Sequence, residues 1–571
     1  MKKMAIVAAV ALLIGVSAAD MELPGAITVP AVCAAQAQKA SLYEKAPAVK
    51  CINGTFIGKQ EGNISMYLGV PFVAKQPVGE YRWKAPVPFT QDNGVYEATE
   101  YGKAPCQVII PGDPNSSQGA QGEDCLYLNV FKNSADRSGK KPVMVWIHGG
   151  AFECGAAAQP CYEGQYFVRD NPDVILVTIE YRVGLFGFLH LSHLKGGEEY
   201  PDAGNLGMLD QAMALKWVHD NIAAFGGDPD NVTIFGQSAG GCAVSLLPLM
   251  EEARPYFKRV IAESGSPALT RTTEDSLALT EKIMKKCGCT TIEELKKLPA
   301  SALIGATEEF VHWPELDGRI IPLNPYEDYR AGKCKGFDMM GGYVKDEMRQ
   351  FVASYGGYDN FYNFFGTIFN NSQKKYSPHD IKNTNDFLRE QAQIGGKGYA
   401  MEQLYNQKMV MAPQNTLLDY HASAGGRTYY YFWTQECRTV KELAEKGVDL
   451  SKLDIFGAAD ENAIELKACH GVEVCTVFNN REPEQATDIF DLDFSRTVQR
   501  MWVNFAKCGD PTVPAAESPT GKAIVWPQYT KENGKVMVLN EKGTEVKTDV
   551  VEKVVDKRFY IFYKYWNGIT S

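Results

Sequence analysis

The pattern of apolar positions changes character several times along the chain, and each change predicts an element. Pro142-Val-Met-Val-Trp-Ile147 is a nearly unbroken apolar run, stopped by His148-Gly-Gly150. Asp173-Val-Ile-Leu-Val-Thr-Ile-Glu-Tyr181 is a second. A strand buried on both faces reads this way, because neither of its alternating rows of side chains meets water. Asp124-Cys-Leu-Tyr-Leu-Asn-Val-Phe131 instead alternates, and Cys51 to Phe72 alternates and turns, so these stretches predict antiparallel strands. Between Leu206 and Phe225, Leu209, Met213 and Trp217 recur at the spacing of one helix face, until Gly226-Gly227 stops the pattern. Further strands are predicted at Arg259-Val-Ile-Ala262, Phe337-Asp-Met-Met-Gly-Gly342 and Arg427-Thr-Tyr-Tyr-Tyr-Phe-Trp433. Helical stretches separate them, at Asp275 to Lys286, Ile292 to Lys297, Thr384 to Gln391 and Met401 to Lys408. Strands alternating with helices predict an α/β chain with a large, mostly parallel sheet covered on both faces. Such sheets place ligand sites beyond the carboxyl ends of their strands. Ser238, His148-Gly-Gly150 and Glu347 all fall just past such an end.

The junction at Asn231-Val-Thr-Ile-Phe-Gly-Gln-Ser-Ala-Gly-Gly241 carries the most specific chemistry. Val232, Ile234 and Phe235 suit a short strand, Gly236-Gln-Ser-Ala-Gly240 reads G-x-S-x-G, and Ala243-Val-Ser-Leu-Leu247 begins a helix. A strand running straight into a helix forces a sharp turn, and only small neighbours fit beside its apex. The pattern predicts a nucleophile elbow that lifts the Ser238 hydroxyl clear of the backbone. A glycine-rich turn that binds nothing is the plain alternative.

Composition narrows the setting. The chain has 571 residues, 45% of them hydrophobic and 22% charged, ordinary values for a globular protein. A net charge of −11 argues against nucleic acid or an anionic membrane surface as partner. Met1-Lys-Lys followed by the apolar run Met4 to Val16 and by Val16-Ser-Ala18 predicts a signal peptide over residues 1–19, with cleavage as late as residue 37 as the alternative. The run is short for a spanning helix, so no stable membrane span is expected once it is removed. Residues 20–45 read as a flexible leader, and the protein is expected to be exported, periplasmic or secreted. Fourteen cysteines in an exported chain suggest disulfides, although spacing does not fix their pairing. Cys469-His470 with Cys475 raises a zinc reading, but no second ligand pair accompanies it, so no metal is expected.

At this point the motifs combine. Glu123-Asp-Cys-Leu-Tyr-Leu-Asn129, Trp146-Ile-His-Gly-Gly-Ala-Phe152, Asn205-Leu-Gly-Met-Leu-Asp210, Glu263-Ser-Gly-Ser266, Lys345-Asp-Glu347, His470-Gly-Val-Glu473 and Gly509-Asp-Pro511 stand in order around the elbow. Together they resemble the type-B carboxylesterase and cholinesterase-like family of α/β-hydrolases, over essentially the whole mature chain. The resemblance implies one α/β-hydrolase domain over residues 46–571 and a serine carboxylic ester hydrolase that needs no cofactor and acts on small-molecule esters. It implies Ser238 as nucleophile, Glu347 as the acid of the triad and His470 as general base, in the chain order expected of the fold. Read alone, Glu347 competes with Asp346 and Glu461. The N–H groups of Gly149, Gly150 and Ala239 would form the oxyanion hole.

Two departures are informative. Gln237 stands where the family usually has an acid, and no tryptophan lies between Cys106 and Cys125, so a cation–π platform for choline is not expected there. The resemblance also implies a disulfide Cys106–Cys125, and a second one, Cys469–Cys475, would stiffen the histidine loop. A phenolic (feruloyl-type) esterase or a lipase is the nearer alternative, and a non-catalytic binding relative the remote one.

Overall fold

The computed structural model describes residues 46–109, 120–136, 139–307, 311–372, 377–436, 467–479, 492–542 and 544–559. Contacts divide the chain into Met1–Pro47 and Ala48–Ser571, and all that follows concerns the second unit. The expected signal peptide and leader, and Glu461, lie outside the described residues.

An eleven-stranded sheet forms the frame. Its strands are β1 (Lys59–Glu61), β2 (Ile64–Pro71), β3 (Tyr127–Asn133), β4 (Lys141–Ile147), β5 (Ile175–Ile179), β6 (Gly227–Gln237), β7 (Arg259–Glu263), β8 (Asp338–Val344), β9 (Thr428–Trp433), β10 (Val536–Leu539) and β11 (Glu545–Lys547). The spatial order is β1-β2-β3-β5-β4-β6-β7-β8-β9-β10-β11. From β5 to β10 every pairing is parallel, and the outer strands pair antiparallel.

The unbroken apolar runs are explained by two cores, one on each face. In β4, Val143, Val145 and Ile147 enter one core while Met144 and Trp146 enter the other. In β9, Tyr430 and Phe432 face the first, and Tyr429, Tyr431 and Trp433 the second. The period of two thus sends every residue of a central strand into apolar surroundings. Helices α1 (Gly164–Asp170), α5 (Val472–Phe478) and α6 (Leu492–Cys508) close the second core through Phe167, Phe478, Met501 and Trp502. Helices α2 (Leu206–Asn221), α3 (Ala239–Leu246) and α4 (Ala412–Ser423) close the first. A smaller third core joins Phe186 and Leu189 to Leu279, Ile283 and Leu303.

Several expectations are corrected. The helix after the elbow starts at Ala239, not Ala243, because the turn at Ser238 is itself the helix entry. The stretches at Thr384 and Met401 are parts of one longer segment, Pro378–Tyr405, which Gly395 and Gly396 interrupt with non-helical backbone. Neither expected disulfide, Cys106–Cys125 nor Cys469–Cys475, is shown by the structure. Cys469 is held in a bridge to Asp346, whereas Cys475 rides on α5. Among the described residues no helix is long and apolar enough to cross a membrane.

Candidate active site

β6 ends at Gln237 and α3 begins at Ala239, so Ser238 alone makes the turn, with φ 59° and ψ −119°. An L-residue with positive φ is strained, and the neighbours show what holds it there. Its N–H donates to the Glu263 carbonyl at 2.8 Å, and its carbonyl accepts from Cys242 N–H at 2.9 Å. The glycines are a steric requirement. A Cβ on Gly240 would lie 2.0 Å from the Ile147 carbonyl oxygen, and one on Gly236 would lie 2.6 Å from the same atom. The elbow therefore packs its backbone against the end of β4, and Ser238 stays half-buried at the sheet edge.

That contact also brings the β4 loop to the serine. A Cβ on Gly149 would lie 3.2 Å from the Ser238 Cβ, so this peptide can pass close to the nucleophile only as glycine. Gly149 and Gly150 are buried, and their N–H groups donate to no acceptor among the described residues. Ala239 opens α3, where the first amides have no intrahelical acceptor. The loop is pinned from two sides. Gln107 donates to the Gly155 carbonyl at 2.8 Å and accepts from its N–H at 3.0 Å. The Glu153 carboxylate accepts from the His312 ring and backbone.

Glu347 and His470 meet where the turn after β8 runs beside residues 467–471. Asp346 N–H donates to Ala468 at 2.9 Å, and Asp346 bridges Cys469, which draws the 467–471 loop alongside the turn after β8. His470 Nδ1 then lies 2.5 Å from Glu347 Oε2. Glu347 is fully buried, and its other oxygen accepts from Val344 N–H at 2.9 Å. Both oxygens are thus committed, which fixes the carboxylate and directs Nδ1–H toward it. Asp346, the competitor by sequence, accepts from Ala468 N–H and does not meet the imidazole.

The far ring nitrogen has an unexpected partner. His470 Nε2 lies 3.1 Å from the Gln237 side-chain amide nitrogen. With Nδ1–H given to Glu347, Nε2 is an acceptor and Gln237 donates. The base is therefore beside the residue that precedes Ser238, with its lone pair engaged by an amide.

Beneath the pair lies a buried acid layer that the motifs contained without disclosing. Glu473, on the first turn of α5, accepts from Ser264 Oγ at 3.2 Å. Glu263, at the end of β7, accepts from Trp502 Nε1 at 2.7 Å. Burial and the neighbouring Glu347 push the Glu473 carboxyl up to about 7, and burial with Glu473 nearby holds Glu263 well above the usual carboxylate range. Burial, with Glu473, Glu263 and Glu347 nearby, also raises the Tyr431 phenol. Glu473 stands three residues after His470, and the nearby imidazole works against the rise of its carboxyl. Among the described residues no group of three or more His, Cys, Asp or Glu is arranged to hold a metal ion.

The family model described as Carboxylesterase family matches residues 45–557. The chain belongs to that family. It is 33% identical to the para-nitrobenzyl esterase of Bacillus subtilis over 86% of this chain and 94% of that protein. It is 30% identical to the acetylcholinesterase of Bungarus fasciatus over 86% of this chain and 81% of that one. Among solved structures, the Geobacillus stearothermophilus carboxylesterase at pH 6.2 superimposes with a TM-score of 0.72 and 32% identity, covering 89% of this chain and 98% of that one. The fold is accordingly that of an α/β-hydrolase, and the carboxylesterase family carries carboxylic ester hydrolase activity.

Proposed function

We infer that the protein hydrolyses carboxylic esters through an acyl-enzyme formed on Ser238. The observation that carries this reading is the 2.5 Å pairing of Glu347 with His470 Nδ1, which leaves Nε2 facing the elbow. Serine is a weak nucleophile until a base takes its proton during attack. His470 Nε2 would take the Ser238 Oγ proton as Oγ bonds to the carbonyl carbon, and Glu347 would stabilise the resulting imidazolium. Gln237 must release Nε2 for this step. The oxygen that gains charge would be met by the N–H groups of Gly149, Gly150 and Ala239, donors that contribute about 3 kcal/mol each in comparable sites. The imidazolium then protonates the leaving alcohol, and water repeats the sequence on the acyl-serine.

Small neutral esters are the substrate class this reading favours. Gln237 puts a neutral amide where an acid would attract a cation, and one relative is named for uncharged para-nitrobenzyl esters. The Met1-Lys-Lys start and the apolar run after it support export. Ser238→Ala should lower turnover of p-nitrophenyl acetate by about 10⁵–10⁶ while the melting curve is kept. A variant that still turns over at a tenth of the wild-type rate would refute the assignment.

A further inference from the structure

A second hydroxyl–imidazole–carboxylate relay stands outside the residues assigned above. Ser192 Oγ lies 2.9 Å from His190 Nε2. His190 Nδ1 lies 2.8 Å from Glu315 Oε2. Glu315 is only 2% exposed, and its other oxygen accepts from Thr273 Oγ1 at 2.7 Å. Its backbone is clamped by Asn205, which accepts from Glu315 N–H at 2.8 Å and donates to the Glu315 carbonyl at 2.9 Å. The base is held as well: Thr280 Oγ1 donates to the His190 carbonyl at 2.7 Å. Burial pushes the Glu315 carboxyl up, but the bonds from His190 and Thr273 outweigh it and hold it below the ordinary range. An ionised Glu315 takes Nδ1–H, which leaves Nε2 as acceptor for the Ser192 proton.

Ser192 is exposed, and neither its own N–H nor that of His193 donates to an acceptor among the described residues. Order, distances and an anchored acid are what activate a serine. The amide of the residue after it, which has no acceptor among the described residues, would supply a donor to a developing oxyanion.

We propose that Ser192, His190 and Glu315 form a second nucleophilic site, one that accepts acyl or phosphonyl groups from small activated electrophiles. Oγ bonds to the carbonyl carbon or phosphorus as its proton passes to His190 Nε2. The bond to the leaving phenolate or fluoride breaks, and the imidazolium proton leaves with that group. No further reactant is needed, and water reverses the acyl adduct.

The test uses the full-length chain with Ser238→Ala, so that the elbow cannot react, and a small alkyl fluorophosphonate as probe. Peptide mass mapping with time should show one dominant adduct, on Ser192, forming at least 100-fold faster than on Ser134, an exposed serine that bonds only a backbone carbonyl. Adding His190→Gln should slow Ser192 labelling at least tenfold. Labelling of Ser192 at the rate of Ser134, or labelling unchanged by His190→Gln, would overturn the proposal. If the double variant does not fold, the comparison of Ser192 with Ser134 in the single variant decides alone.

Discussion

Gln237 shows how one side chain tunes the site. Its amide donates to His470 Nε2, the atom that would accept the serine proton in the proposed mechanism. Gln237→Glu removes that donor and adds a negative charge, which favours the imidazolium. A higher pH is then needed to free the base, so the acid limb of the kcat/KM profile for p-nitrophenyl acetate should move up by about one unit. Gly149→Ala tests the oxyanion loop, because its Cβ would lie 2.8 Å from the Gln237 carbonyl oxygen and 3.2 Å from the Ser238 Cβ. A fall in kcat of about 10²–10³ is expected, measured under saturating ester. Ser238 was legible in the sequence because the glycines that the elbow requires are its chain neighbours. The Gln237–His470 contact was not, since it joins positions 233 residues apart. Glu347 could not be separated from Asp346 by composition. The turn after β8 points one carboxylate at the ring and the other at the Ala468 amide.

At the scale of elements, the join between α2 and the end of β5 is the most demanding. Arg182 and Asp210 are both buried, and the guanidinium donates to the carboxylate at 2.7 and 2.6 Å. Arg182 N–H adds a third bond to the same carboxylate at 3.1 Å. Asp210→Ala leaves a buried cation unpaired, and denaturant titration should show a loss of about 3–5 kcal/mol. The central strands were legible because burial on both faces removes polar residues from them. α6 is absent from the helices the sequence predicts, although Phe494, Val498, Met501, Trp502 and Phe505 mark one face. β10 is four residues long, too short for a period to declare itself.

For the whole molecule, the acid layer beside Glu347 and His470 sets a pH response. Glu473 is raised to about 7, so between the ordinary carboxylate range and that value the folded chain binds more protons than the unfolded one. Its contribution is full below the unfolded pKa and is lost as pH rises through about 7. Stability should therefore fall from pH 5 to about pH 7, by up to about 1.4 kcal/mol per pH unit for one group, and level off above it. Glu473→Gln should flatten that slope in melts across the range, and an unchanged slope would place its origin elsewhere. The margins of the sheet govern a different property. β1 and β11 are three residues each, Lys-Gln-Glu and Glu-Val-Lys, and their charged side chains lie toward solvent. A broad, oily ribbon thus ends on both sides in a brief salted fringe, on which a neighbouring copy finds too few free amides to extend the ladder. In crowded solutions of this protein, strand addition at either margin of this sheet should accordingly be disfavoured.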